Sequence, residues 1–155
     1  MTTLLGPGDW NGDGRLDLLA VNESGTMWFY AGAGNGGFRS AAAVSRGWDD
    51  VDLLTAVGDL DSRGTPDLVG RRNGGDLVLY RGNASGGFSS STVIGTGWGA
   101  FTALLGPGDW NGSGGTDILG RTSAGRLLLY AGNGLGGFAS ARQVGQGWGS
   151  LTLVG

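Results

Sequence analysis

The internal repeat constrains this chain more than any other feature. Landmarks recur every 50 residues: Gly8/Gly58/Gly108, Asp17/Asp67/Asp117, Tyr30/Tyr80/Tyr130, Phe38/Phe88/Phe138 and Trp48/Trp98/Trp148. Such a chain folds as like units stacked on one another, because one short unit cannot bury its apolar face alone. Apolar residues do not follow the 3.6-residue spacing of helical solenoids. They fall instead in short runs between Gly-rich turns, the pattern of several strands per unit. Period and strand count together predict β-propeller blades. The expected fold is all-β: three four-stranded antiparallel blades in a single propeller segment, over approximately residues 1–50, 51–100 and 101–150, with 151–155 a duplicate inner strand.

Within each unit the inner strand is expected ahead of an acidic loop, over Thr3–Leu5, Leu53–Val57 and Thr102–Leu105. A second strand follows the loop, over Asp17–Val21, Asp67–Arg71 and Asp117–Arg121, and a third covers Met27–Tyr30, Leu77–Tyr80 and Leu127–Tyr130. A weaker outer strand is expected near Val44, Val93-Ile94 and Val144. Gly supplies 36 of 155 residues without a Gly-X-Y period, which with regularly spaced aromatic residues means many tight turns. Leu151-Thr152-Leu153-Val154 stands in register with Met1–Leu4, so the chain holds three blades and a repeated inner strand. Propellers take about four to eight blades, and open blade faces would leave apolar sheet in water. The expected remedy is self-association, most simply a two-fold homodimer that completes a six-bladed ring.

The loop of the first unit carries oxygen ligands at alternate positions. Counting Asp9 as one, side-chain oxygens fall at one, three, five and nine (Asp9, Asn11, Asp13, Asp17), with Gly14 at six and the Arg15 carbonyl at seven. Three carboxylates so close together repel one another unless a cation lies between them, and this alternation of hard oxygens suits Ca²⁺. Ala20 stands where an EF-hand has its bidentate Glu, so a helix-loop-helix sensor is excluded. The competing reading is an Asx-rich turn that needs no metal.

Several function classes fall away. The net charge is −3 and all ten basic residues are Arg, with no stripe able to track a phosphate backbone, so nucleic acid is not an expected partner. Without Cys or His, thiol nucleophiles, disulfides, the usual zinc sites and His acid–base chemistry are excluded, and no enzyme is expected. Asp49, Asp50 and Asp52 read as a surface charge cluster, since the next junction has Gly99, Ala100 and Thr102. No apolar run reaches membrane-spanning length, so no membrane association is expected, and Met1-Thr2-Thr3 has no basic or apolar region of the kind that marks a secretory signal. The reading is of a chain secreted or extracellular in origin, or of a recombinant or designed fragment.

Gly-Asp-Trp-Asn-Gly-Asp-Gly-Arg-Leu-Asp-Leu-Leu (8–19), followed by Gly-Gly-Phe (36–38), resembles the FG-GAP/VCBS repeats of β-propellers, and the resemblance runs the length of the chain. That family includes lectins, so the resemblance implies a calcium-stabilised, lectin-like propeller that binds glycans at repeated sites between blades. The alternative is a structural or designed repeat scaffold with no ligand beyond calcium. Carried over by position, the family's metal roles fall on Asp9, Asn11, Asp13, the Arg15 carbonyl and Asp17. In the third copy they fall on Asp109, Asn111, Ser113, the Gly115 carbonyl and Asp117, with one charged ligand lost at Ser113. The second copy keeps Asp59, Asp61 and Asp67 but has Arg63 at position five, whose guanidinium is expected to replace the cation. Candidate sugar-binding residues are Trp48, Trp98, Trp148, Arg71 and Arg121; the competing reading of each Trp is inter-blade packing, which is also expected of Trp10 and Trp110.

Overall fold

Alternation of apolar and polar residues between glycine turns makes each unit an antiparallel sheet, and the same sheet recurs three times. The computed structural model describes residues 3–151. The expected duplicate strand over 151–155 therefore lies, beyond Leu151, outside the described residues. The first sheet runs β1 (Thr3–Gly8), β2 (Asp17–Val21), β3 (Thr26–Gly32) and β4 (Phe38–Arg46) in chain order. The second comprises β5 (Val51–Gly58), β6 (Asp67–Arg72), β7 (Leu77–Gly82) and β8 (Phe88–Gly95). The third holds β9 (Phe101–Gly108), β10 (Asp117–Thr122), β11 (Leu127–Tyr130) and β12 (Arg142–Gly145). Registers repeat as well: Leu19 opposes Phe29, Val69 opposes Leu79 and Leu119 opposes Leu129. The chain is thus all-β, in three four-stranded antiparallel sheets. Among the described residues no helix is long and apolar enough to cross a membrane.

The outer strands lie where expected, at Val44, Val93-Ile94 and Val144, but two run longer: β4 and β8 begin at the Phe of Gly-Gly-Phe, and β4 is nine residues long, whereas β12 holds only Arg142–Gly145. The middle of β4 and β8 is exposed Ser, Ala and Thr, so an edge strand formed by backbone pairing left little apolar pattern beyond Val44 and Val93-Ile94 to read. From each outer edge the chain returns through a single 3₁₀ turn at Trp48–Asp50, Trp98–Ala100 and Trp148–Ser150, entered through a left-handed Gly47, Gly97 or Gly147.

Sheets stack through their inner strands, β1 beside β5 and β5 beside β9. Alternate side chains of each strand serve opposite neighbours, so the middle sheet is covered on both faces. Between the first two sheets lie Leu5, Trp10, Leu19, Met27, Phe29 and Trp48, packed against Val51, Leu68, Tyr80 and Phe88. Between the second and third, Val57, Leu60, Leu79 and Trp98 meet Phe101, Ile118, Tyr130 and Phe138. The Trp of each of the first two turns packs at a tilt on the Tyr of the next sheet, with centroids 4.6 Å apart for Trp48–Tyr80 and 4.4 Å for Trp98–Tyr130. One packing expectation fails. Trp10 is fully buried, but Trp110 in the same loop of the third sheet is 58% exposed, because no further sheet among the described residues covers it.

Candidate functional site

The acidic loops share a frame built by two aspartates. The first turns back across its loop: Asp9 Oδ1 accepts the Asp13 N–H (2.9 Å) and Oδ2 the Gly14 N–H (2.7 Å). Asp59 does the same with Arg63 and Gly64, and Asp109 with Ser113 and Gly114. The last aspartate ties the loop to the third strand. Asp17 Oδ2 accepts from Trp10 N (2.9 Å) and its Oδ1 from Gly32 N (2.9 Å). Asp67 joins Leu60 N to Gly82 N, and Asp117 joins Trp110 N to Gly132 N. The partner must be Gly: a Cβ at Gly32, Gly82 or Gly132 would lie only 2.0, 2.3 or 2.0 Å from the carbonyl oxygen of Leu16, Pro66 or Thr116.

Position five differs in each loop. Asp13 accepts the Arg15 N–H at 3.0 Å, its other oxygen is paired with the Arg39 guanidinium, and Arg15 Nη1 stands 3.9 Å away. Asn11 Oδ1 accepts the Asp13 N–H at 3.0 Å, as Asn111 Oδ1 accepts that of Ser113 at 2.7 Å. Gly115, at position seven of the third loop, lies against the Gly132 carbonyl. The first and third loops thus present hard oxygen donors of the type a calcium ion takes.

In the second loop Asp59, Asp61 and Asp67 bring one oxygen each to within 4.8 Å of one another, the one such trio among the described residues. Arg63 reaches Asp61 at 3.1 Å from an exposed position. A second guanidinium, unforeseen from the sequence, comes from β7: Arg81 Nε lies 2.6 Å from Asp61 Oδ2 and both side chains are nearly buried. Its signal was there to read, since the other copies have Ala31 and Ala131 at that position. Asp61 Oδ1 is buried without a hydrogen-bond partner. Asp67 is fully buried, and its carboxyl is pushed up to about 6 by that burial and by the charges of Asp61 and Asp59, against the N–H groups of Leu60 and Gly82.

A cleft of about 450 Å³ opens at the outer rim between the first two sheets. Trp48, Tyr80 and Phe88 line its floor, and Arg46, Asp50, Arg72 and Ser89, Ser90 and Ser91 its walls. Trp48 itself is only 6% exposed and donates its indole N–H to Ser45 Oγ at 2.7 Å. Trp98 is equally buried, against Phe101 and Tyr130. Trp148 is half-buried on the outward face of the third sheet. At the second junction the wall positions become Thr96, Ala100, Thr122 and Ala139, and the charges are gone.

Arg71 and Arg121 brace junctions. Arg71 binds Asp52 through Nε (2.8 Å) and Nη2 and donates Nη1 to the carbonyls of Trp98 (3.1 Å) and Phe101. Arg121 repeats this on the carbonyls of Trp148 (3.4 Å) and Leu151, with Thr102 in place of the acid. The acidic cluster is thereby divided: Asp52 is bound to Arg71, Asp50 lines the cleft and Asp49 lies against Gly25.

Three like sheets, stacked through their inner strands and carrying an acidic loop between first and second strand, define a β-propeller segment. Residues 9–70 match the FG-GAP-like repeat family. Among solved structures it is similar to a lectin of Agrocybe aegerita, described by its specific recognition of non-reducing terminal N-acetylglucosamine, with a TM-score of 0.68 and 23% identity. The alignment covers 95% of this chain and 39% of that one, so this chain spans well under half of the lectin's length. No curated protein matches the chain.

Proposed function

We propose that this chain is a calcium-stabilised carbohydrate-binding module whose best-equipped site is the cleft between its first and second blades. The observation that carries this reading is the make-up of that cleft, an aromatic floor beneath Arg46, Asp50, Arg72 and three serines. Sugar rings offer an apolar C–H face and a rim of hydroxyls that both donate and accept, which such a lining matches. The likeness to a lectin that recognises N-acetylglucosamine supports the same ligand class. Recognition falls to the polar walls, because Trp48 exposes little beyond its edge and Arg71 and Arg121 are committed elsewhere. Titration with N-acetylglucosamine-terminated oligosaccharides tests this. Arg72→Ala and Asp50→Ala should each weaken binding about tenfold or more, the loss of one or two good hydrogen bonds, while Thr122→Ala leaves it unchanged. No binding to a broad glycan array would leave the scaffold reading, which the packing roles of Trp48 and Trp98 favour.

Calcium is assigned to the first loop, on Asp9, Asn11, Asp13, Asp17 and the Arg15 carbonyl, and more weakly to the third, on Asp109, Asn111, Ser113, Asp117 and the Gly115 carbonyl. Bound there, the ion would neutralise the carboxylates and fasten the loop. The trio of the second loop is better gathered, but Arg63 stands at the ligand position itself and joins Arg81 on Asp61, whereas the first loop keeps a carboxylate at that position, Asp13, with Arg39 paired to it. Calorimetric titration distinguishes these assignments: Asp9→Ala should abolish the tightest calcium site and Asp59→Ala should not, and the reverse result would sink the assignment.

A further inference from the structure

We infer that the partner of this chain is a second copy of itself, joined head to tail so that the outward face of the third blade covers the outward face of the first. The third blade carries an apolar hollow of about 360 Å³ lined by Leu105, Trp110, Leu119, Leu127, Val144 and Trp148. Two repeats earlier the same six positions are Leu5, Trp10, Leu19, Met27, Val44 and Trp48, all of which belong to the core between the first and second blades. The hollow is therefore a blade junction lacking its other half. Arg121 on its rim is no obstacle, since its counterpart Arg71 lies within a covered junction.

The missing half stands at the opposite end of the chain. In the first junction the covering side chains include Leu54, Leu68, Tyr80 and Phe88. The same positions on the first blade are Leu4, Leu18, Tyr30 and Phe38, and there Leu4 is 67% and Phe38 56% exposed. Phe38 leans on Tyr30 with centroids 5.6 Å apart, the pairing that Tyr80–Phe88 and Tyr130–Phe138 show in the covered blades. The surface is already shaped as theirs is. By the template of Trp10 on Phe88 (5.3 Å) and Trp48 on Tyr80, Trp110 of one copy packs on Phe38 of the other and Trp148 on Tyr30.

Each copy has one face of each kind, so two copies that exchange them satisfy all four faces and leave nothing open for growth. The contact also completes a cleft that neither copy owns, with Gln146 and Trp148 from one and Arg39 and Ser40 from the other at the positions of Arg46, Trp48, Ser89 and Ser90. The inference is independent of the ligand proposed above, whose cleft lies within one copy.

Native mass spectrometry and sedimentation of the full chain should give twice the protomer mass, and Trp110→Ser or Phe38→Ser should halve it. Both side chains are largely exposed in the protomer, so its circular dichroism should survive either change. The chain has no Cys, so introduced thiols report orientation cleanly. A Trp110→Cys/Phe38→Cys variant should be joined between copies by a short bis-maleimide, and neither single variant should be. A single-copy mass at all concentrations, assemblies larger than two copies, full dimer mass in both Ser variants, or linkage within the Trp110→Cys single variant would each overturn the inference.

Discussion

Replacing Arg71 by Met keeps the length of the side chain and removes its guanidinium, which spans the junction between the second and third blades. The side chain is 12% exposed. It makes two kinds of contact: a paired interaction with Asp52, which is 39% exposed, and donation to the Trp98 and Phe101 carbonyls at the turn that begins the third blade. An ion pair open to water on one side contributes about 0.5–1 kcal/mol. Two bonds from a charged donor to carbonyls add about 1–1.5 kcal/mol each in a half-buried setting. The expected loss is therefore about 3 kcal/mol, or about 6–12 °C in Tm for a chain of this size. Urea denaturation of wild type, Arg71→Met, Asp52→Asn and the double variant would measure it, with Asp52→Asn costing about 1 kcal/mol and the double variant little more than Arg71→Met. Hydrogen bonding and charge from Arg71 hold the Asp52 carboxyl below its ordinary 3.8. The folded state thus holds the ionised form more strongly than the unfolded state does. That part of the stability is complete above 3.8 and disappears as the pH falls through the lowered value, so the Asp52→Asn deficit should shrink in acid. A loss under about 0.5 kcal/mol for Arg71→Met, or equal costs for Arg71→Met and Asp52→Asn, would refute the assignment of most of the strength to the carbonyl bonds.

Other outcomes follow from contrasts between copies. Trp10→Ala should cost about 3–5 kcal/mol in denaturant titration, whereas Trp110→Ala in dilute solution should cost about 0.5 kcal/mol, because only the first ring is covered within the protomer. In chelator, stability should fall as the pH rises from the ordinary 3.8 toward about 6, since folded Asp67 retains a proton there that the unfolded chain releases; urea midpoints of Asp67→Asn should lack that slope. Chelation should lower the Tm, as about 2.7 kcal/mol of linkage is lost when free calcium falls from about a hundred times Kd, and Asp9→Ala should leave calorimetric scans only the smaller response of the weaker third loop.

Period and turn chemistry made much of the fold legible, because each blade is local in sequence and repeats its own register. Inner, second and third strands carry apolar residues into the junctions and so could be read from pattern. Outer strands could be placed at Val44, Val93-Ile94 and Val144 but not measured, since the rest of β4 and β8 is held by backbone pairing and exposes Ser and Ala. The loops were found by spacing alone, but their electrostatics were only half visible: Arg63 lies inside the motif, whereas Arg39 and Arg81 reach in from strands 26 and 20 residues away in sequence. Repetition also misled at Trp110, where a similar loop has no neighbouring sheet among the described residues. The cleft at Trp48 was foreseen by its Trp, yet its charged walls come from Arg46, Asp50 and Arg72, which the other junction does not repeat.

The pairing of a loop-closing aspartate with a glycine amide on the third strand has a consequence for how such units diverge. Because that clamp and the turned-back first aspartate recur in all three hairpins, position five between them is the least constrained by structure. One copy can exchange a carboxylate for an arginine and another for a serine while all three keep the same outline. Chemical identity is thus free to drift at the tip of a unit whose geometry is guarded at its base.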